Sequence, residues 1–257
     1  MDAASFTAVR LIAGVIVLFL LVQASGQSKN TNGNGSWLAS FMLFLYTVTF
    51  SFAYLTLDTG TGALILFGSL QVTIVVVTLR SGTQLHVIEW LGLLLAVFGF
   101  VYLMLPGANA PPLGGFLLMT CAGAATALYT LSGHASINPL RDTYFNFLRT
   151  VPMVLFLSIP IFWGGKYSLE GIMYAVISGG LTSGVGYAVW YSALRGLSSL
   201  QAGVVQLLVP VIAALGGVIF VGETLASRLP ISALLILGGI VVVVLGRYYF
   251  DERKPAS

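Results

Sequence analysis

The sequence predicts an all-α, polytopic membrane protein of about nine transmembrane helices, arranged as two inverted repeats of four and five helices. Three observations predict this fold class. Charged residues make up 7% of the 257 positions and hydrophobic residues 58%, whereas soluble domains contain roughly a quarter charged residues. The charges are also grouped between long apolar runs, as a bilayer requires because an ionised group at its centre is costly. Finally, similar short sequence segments occur in the same order in both halves of the chain.

Nine apolar runs are long enough to cross a membrane. A hydrocarbon core of about 30 Å is crossed by about 20 residues of α-helix. On this measure we predict spans near 5–22, 36–56, 60–79, 87–105, 113–133, 142–163, 170–192, 198–220 and 229–249. Pairs of proline, glycine and asparagine mark several of the breaks between them, as at Pro106-Gly107 and Asn138-Pro139.

The basic residues indicate how the spans are oriented. One face of the predicted topology carries Lys29, Arg80, Arg141, Arg195, Arg247, Arg253 and Lys254, and the other carries Arg10, Lys166 and Arg228. Because cytoplasmic loops are enriched in Lys and Arg, we expect a multi-pass protein of the cell inner (plasma) membrane with a cytoplasmic C-terminus. Nine spans then place Met1 outside, which is an awkward start for a chain with no signal peptide.

The composition lacks the features of several other classes of protein. Cys121 is the only cysteine, so neither a disulfide framework nor a multi-cysteine metal site is expected. The net charge of +3 comes from basic residues spread along the loops, and not from the basic stripe of a nucleic-acid-binding protein. We therefore expect no cofactor, no metal and no nucleic acid. The expected partners are a small-molecule substrate and the lipid bilayer, and a homodimer is left open.

An internal repeat explains the odd number of spans. Ser5–Arg10 opens the first span, and Tyr144–Arg149 stands at the equivalent place in the sixth. Ala53–Leu57 similarly corresponds to Trp190–Leu194, and a short turn and a long apolar helix follow both segments. The span at 113–133 precedes the landmarks of the second copy and has no counterpart in the first. We therefore expect the first copy to lack its opening helix.

The repeats divide the chain into two predicted domains. Residues 1–108 form an incomplete first repeat of four helices, and residues 109–257 form a second repeat of five. A unit of five spans is odd, so its two copies face opposite ways across the membrane. Many transporters use such inverted repeats to open alternately on either side of a site near the bilayer midplane.

Five segments carry a resemblance to a known family, namely Ser5–Arg10, Gly60–Gly68, Tyr191–Leu194, Gln206–Pro210 and Gly222–Leu225. Their order and spacing in two copies resemble the EamA-type members of the ten-helix drug/metabolite transporter superfamily. The resemblance covers nearly the whole chain and implies two five-helix repeats. This sequence departs from the pattern by lacking the opening helix and by having Thr83 where the first copy would often carry a glutamate.

Polar and aromatic residues within the spans are the candidates for substrate contact, because polar groups in lipid are rare unless they serve a function or a partner. They are Tyr46, Ser51, Gln71, Tyr129, Arg149, Tyr187, Trp190 and Gln206. Gln71 and Gln206 stand out because each lies in the penultimate span of its own repeat. Hydrogen bonding between packed helices is an equal alternative for this pair. Arg149 is expected to bind an anionic substrate group or to pair with a helix end, and the side chain of Arg10 to reach toward the headgroups.

Four further residues are candidates for structural or gating roles. Gly180 and Gly184 have the spacing of small residues that lets two helices touch closely. Pro210 lies within the eighth span, where it removes a backbone hydrogen bond and favours a kink. Glu223 is expected to cap the following helix or to hold the repeat interface, with proton coupling as the alternative.

These features favour a transporter of small organic metabolites over the other functions weighed. Amino acids or related solutes, moved outward by alternating access, are the expected cargo. One alternative is a membrane-embedded enzyme acting on lipid intermediates, but His86, Glu89 and His134 stand in no catalytic motif, so the protein is not expected to be an enzyme. The other alternative is a truncated remnant that transports nothing, which follows from the expected loss of a helix.

Overall fold

The polypeptide is almost entirely helical in the ranges that the computed structural model describes, which are 1–25, 33–57, 59–104, 111–134, 136–158, 168–216, 219 and 228–251. The helices are α1 Ala3–Ala24, α2 Trp37–Ala53, α3 Thr59–Arg80, α4 Val87–Met104, α5 Leu113–Gly133, α6 Pro139–Ser158, α7 Leu169–Leu194, α8 Ser199–Gln206, α9 Val209–Gly216 and α10 Arg228–Asp251. The described residues of each predicted span are largely helical, and the predicted all-α class is confirmed.

Side-chain caps fix where several helices begin. The carboxylate of Asp2 accepts a hydrogen bond from the Ser5 N–H at 2.9 Å before α1. Ser36 and Ser168 cap α2 and α7 in the same way. Before α8, the side chains of Ser198 and Gln201 each accept a hydrogen bond from the other's backbone N–H. Such caps satisfy N–H groups that have no partner within the first turn of a helix.

In the described part of the chain, four helices are long and apolar enough to cross a membrane by length and composition, at Ala3–Ala24, Thr61–Arg80, Leu113–Gly133 and Leu169–Leu194. Shorter apolar helices lie at Trp37–Ala53, Val87–Leu103, Ser199–Ile212 and Pro230–Gly246. The sixth predicted span corresponds to α6, which carries Asp142 and Arg149 and is therefore more polar than the others.

The eighth predicted span is two short helices and not one. Helix α8 ends at Gln206, and α9 begins at Val209. The N–H groups of Leu207 and Leu208 donate to the carbonyls three residues back, which tightens the last turn. Pro210 has no N–H to offer the carbonyl of Gln206, four residues earlier, so a continuous helical ladder is interrupted here.

The chain forms two compact units. Unit 1 comprises Met1–Leu57 and Pro112–Leu197, and therefore contains α1, α2, α5, α6 and α7. Unit 2 comprises Asp58–Pro111 and Ser198–Ser257, with α3, α4 and α8 to α10. Each unit thus takes helices from both predicted repeats. The repeats describe correspondence in sequence and the units describe packing, so the domain division at 108 remains a prediction.

Glycines allow the closest helix contacts in each unit. In unit 1, Gly179 of α7 lies against the backbone of Arg10 in α1. In unit 2, Gly92 of α4 lies against Gly239 of α10, where a β-carbon on Gly92 would stand 2.8 Å from the Gly239 carbonyl oxygen. Small residues at such crossings let backbones approach, which is how helices associate in lipid.

Candidate functional site

Arg10 is a buried cation within the first helix of unit 1. Only 9% of its surface is exposed. Its Nε donates a hydrogen bond to Ser183 Oγ at 3.0 Å. Its guanidinium carbon lies 6.0 Å from the centre of the Tyr46 ring and 5.9 Å from that of Phe50, which is within the range of cation–π attraction. The guanidinium therefore meets a hydroxyl and two aromatic rings.

The backbone of α7 places Ser183 opposite Arg10. Residues Ser178–Val185 form a π-helical stretch between two α-helical parts of α7. The wider turn changes which side chains share a face, and π-helical insertions inside α-helices are frequent at functional sites. Close contact of Gly179 with the backbone of Arg10 brings the two helices together at this level.

Tyrosines continue the site away from Arg10. Tyr187 of α7 lies beside Arg10 and Tyr46 and is partly exposed. Its ring packs edge to face against the ring of Tyr129, with 5.2 Å between the ring centroids. The centroids of the Tyr129 and Tyr191 rings are 5.0 Å apart. The Tyr191 hydroxyl donates to the Tyr129 carbonyl oxygen at 3.0 Å. Both Tyr129 and Tyr191 are 1% exposed, so their positions are fixed by packing.

A polar face of α6 holds the segment that leads into α2. Asp142, Asn146 and Arg149 are spaced so that they share one side of the helix. Asp142 Oδ1 accepts from the Gly35 N–H at 2.8 Å, and Asn146 Oδ1 accepts from the Ser36 N–H at 2.9 Å. Gly35 has a φ of 59°, which a residue with a side chain rarely adopts.

Arg149 belongs to the same polar face. Its Nη1 donates to the Asn34 carbonyl oxygen, and its guanidinium carbon lies 5.5 Å from the centre of the Trp37 ring. A cavity of about 300 Å³ adjoins this segment, and Asp142, Asn146 and Tyr191 are among its lining residues. The structure therefore places Arg149 against the backbone of the segment that leads into α2, and its role toward a substrate stays a prediction.

The predicted candidates fall in both units. Tyr46, Ser51, Tyr129, Arg149, Tyr187, Trp190, Gly180 and Gly184 lie in unit 1, and Gln71, Gln206 and Pro210 lie in unit 2. The structure places Tyr46 and Tyr187 beside Arg10, and Tyr129 packs against Tyr187. Ser51 instead accepts a hydrogen bond from Thr7 at 2.8 Å and joins α2 to α1. Trp190 is partly buried one turn after Tyr187, and Glu223 lies outside the described residues.

The predicted glycine pair lies on the face of α7 that packs against α1. A β-carbon on Gly180 would come within 2.8 Å of Val17, and one on Gly184 within 3.3 Å of the Gly179 carbonyl oxygen and 3.4 Å of that of Gly14. Both glycines therefore lie close to α1, and their gating role stays a prediction. The tightest contact, however, is made by Gly179.

Gln71 is buried in unit 2, and no described residue hydrogen-bonds its side chain. Its side chain is 5% exposed, and neither its Nε2 nor its Oε1 finds a partner among the described residues. A β-carbon on Gly203 of α8 would lie 3.2 Å from the Gln71 oxygen. Gln206, one turn further along α8, donates weakly to the Ala202 carbonyl oxygen at 3.4 Å.

We predict that Gln71→Met stabilises the protein. An unpaired buried amide costs about 1–3 kcal/mol, and methionine has a similar length without polar atoms, so the thermal unfolding midpoint of the purified protein should rise. Gln206→Met is the matched control, because Gln206 is partly exposed and weakly bonded, and its midpoint should stay close to that of the wild type. A lower midpoint for Gln71→Met would contradict the unpaired state of Gln71.

The sequence did not identify Arg10 as a site residue. We expected Arg10 to extend toward the headgroups, whereas the structure buries its side chain between α2 and α7. The one sequence signal that could have pointed to Arg10 was its equivalence to Arg149 in the second repeat. Nothing in the sequence pattern indicated the π-helical stretch that presents Ser183, because that stretch depends on the packing of α7 against α1.

The residues considered for catalysis lie at helix ends. Glu89, which is fully buried, accepts a hydrogen bond from the His86 N–H at 2.8 Å and so caps α4. His134 ends α5, and its burial lowers the pKa of the imidazole. Among the residues that the structure describes, His, Cys, Asp and Glu form no group of three that could hold a metal ion.

Comparison with known proteins gives similarity along the whole chain. Residues 113–245, just over half of it, match the model of the EamA-like transporter family. An uncharacterized protein of Pseudomonas aeruginosa is 46% identical over 255 residues, which cover 99% of this chain and 88% of that protein. The threonine/homoserine exporter RhtA of Escherichia coli is 29% identical over 167 residues, covering 62% of this chain and 54% of the exporter.

A solved crystal structure has a similar fold. It superposes with a TM-score of 0.78, covers 95% of this chain and 88% of its own, and is 16% identical in sequence. At that identity the likeness concerns the fold alone. An uncharacterized transporter of Archaeoglobus fulgidus is also similar, with 31% identity over 60% of this chain and 56% of its own length.

Proposed function

Since this chain belongs to the EamA-like transporter family and is therefore a multi-pass membrane transporter, we propose that it exports amino acids or closely related small solutes. Export proceeds by alternating access between the two inverted repeats. The protein lies in the inner membrane with its C-terminus in the cytoplasm, as the distribution of basic residues favours.

The observation that carries this proposal is the buried group formed by Arg10, Ser183, Tyr46 and Tyr187 within the helices of unit 1. A charged residue inside a membrane span is costly, and such residues mark substrate or ion pathways. Aromatic rings and a hydroxyl around a cation also suit a small zwitterion, which presents both apolar and charged groups. The similarity to a threonine/homoserine exporter supports the same class of solute.

The experiment is transport by the purified full chain in proteoliposomes. Vesicles loaded with unlabelled L-threonine or L-homoserine should take up the labelled amino acid by exchange severalfold faster than protein-free vesicles. Growth of an expressing strain on inhibitory concentrations of the same amino acids should improve if transport is outward. A panel of labelled amino acids that never moves faster than through protein-free vesicles would refute the proposal.

A further inference from the structure

Arg10 is a permanent positive charge that lacks a negative partner in the parts of the chain that the structure describes. A guanidinium stays protonated at any physiological pH. Its neighbours among the described residues are the neutral groups of Ser183, Tyr46, Phe50 and Tyr187. A buried charge normally has a partner of opposite charge or a full set of hydrogen bonds. The protein therefore maintains a buried charge that its own described residues leave uncompensated.

The hydrogen-bonding capacity of Arg10 is largely unused. A guanidinium has five N–H donors, and among described residues only Ser183 accepts from it, through Nε. The two terminal nitrogens, with four N–H groups, have no acceptor there. Arg10 also keeps 9% of its surface exposed. The planar edge of the guanidinium is thus available to an incoming anion.

The surroundings of Arg10 suit a carboxylate. Two parallel N–H groups match the two oxygens of a carboxylate, which gives a short bidentate pair. Two other arginines of unit 1 are already bonded to backbone carbonyls, Arg149 to Asn34 and Arg195 to Ile137. Among the described residues, the group around Ser183 and Tyr46 contains one cation, Arg10, which would balance the single negative charge of a carboxylate.

We propose that Arg10 binds the carboxylate group of the transported solute, while Ser183 fixes the plane of the guanidinium through its Nε. The inference rests on the proposed function and deepens it, because it restricts the cargo to carboxylate-bearing solutes. Tyr46 and Phe50 stabilise the cation when the site is empty through their ring faces. Ser183 is a positioning residue, since it acts on the solute through Arg10.

The first test compares L-threonine with L-threoninol, which keeps the ammonium group and side chain but has no carboxylate. In the wild type, L-threonine should inhibit exchange of labelled L-homoserine at concentrations about 10- to 100-fold lower than L-threoninol, as expected for loss of a charged hydrogen-bonded pair. In Arg10→Gln this preference should disappear, and in Arg10→Lys it should shrink. A preference that persists unchanged in Arg10→Gln would overturn the proposal.

The second test uses the wild type alone, so it does not depend on whether a variant folds. Phenylglyoxal modifies accessible arginines, and mass spectrometry of the digested protein reports each site separately. L-threonine should slow modification of Arg10 severalfold, L-threoninol should not, and Arg149 serves as the internal control. Equal modification of Arg10 with either compound would overturn the inference. If threonine exchange is measurable while both tests fail, the transport function stands and only the role of Arg10 is lost.

Discussion

Gly179→Ala is expected to separate α1 from α7 and to cause one of the largest losses of stability in unit 1. A β-carbon at this position would lie 2.7 Å from the Arg10 carbonyl carbon and closer still to its oxygen. Backbone atoms cannot rotate away as a side chain can. Overpacking usually costs about 1–3 kcal/mol of folding free energy and occasionally more. For Gly179→Ala we expect a cost at the upper end of this range. The unfolding midpoint should fall by roughly 10 °C, at the scale of about 2–4 °C per kcal/mol for chains of this size.

Gly186→Ala is the matched control on the same helix. The nearest atom to a β-carbon at Gly186 is the Leu181 carbonyl oxygen at 3.9 Å, so this change adds a methyl group without a clash. Its midpoint should equal or exceed that of the wild type, because alanine favours helix over glycine. Similar midpoints for the Gly179 and Gly186 variants would show that α1 and α7 do not meet as described.

Gly239→Ala is the corresponding prediction for unit 2. A β-carbon there would stand 2.5 Å from the Gly92 carbonyl oxygen and 2.6 Å from the Ala96 backbone nitrogen. Helices α4 and α10 would have to move apart, which would also loosen the core cluster that includes Leu93 and Ile236. We expect a loss of about 3 kcal/mol or more, as for other backbone-limited overpacking. Purified protein should show a lower unfolding midpoint and a larger aggregated fraction on size exclusion.

The neighbouring glycine provides the control for this second prediction. A β-carbon on Gly238 would meet only the end of the Leu95 side chain, at 3.8 Å. Gly238→Ala should therefore behave like the wild type in both measurements. If Gly238→Ala lowered the unfolding midpoint and raised the aggregated fraction as much as Gly239→Ala does, α4 would have to contact α10 at a different position.

The candidate site was only partly predictable from sequence. Tyr46, Tyr129 and Tyr187 were identified because aromatic hydroxyls within a span are conspicuous in an apolar segment. Arg10 was misjudged because its distance from the start of the span suggested that its side chain could reach the headgroups. Whether an arginine reaches outward or inward depends on which helices surround it, and that information lies in residues more than a hundred positions away, such as Ser183.

The sequence by itself determined the fold class, the positions of the helices and the family. In lipid, every backbone polar group must be satisfied within the segment, so a long apolar run becomes a helix wherever it occurs. The proline at position 210 similarly accounts for the break between α8 and α9, because a missing N–H has a local effect. Only the tertiary structure decided which helices associate in each unit, how the π-helical stretch of α7 presents Ser183, and that Arg10 is buried. The spans are apolar on nearly all sides, so hydrophobic periodicity does not mark the face that packs against protein, and backbone contacts at single glycines select the neighbours instead.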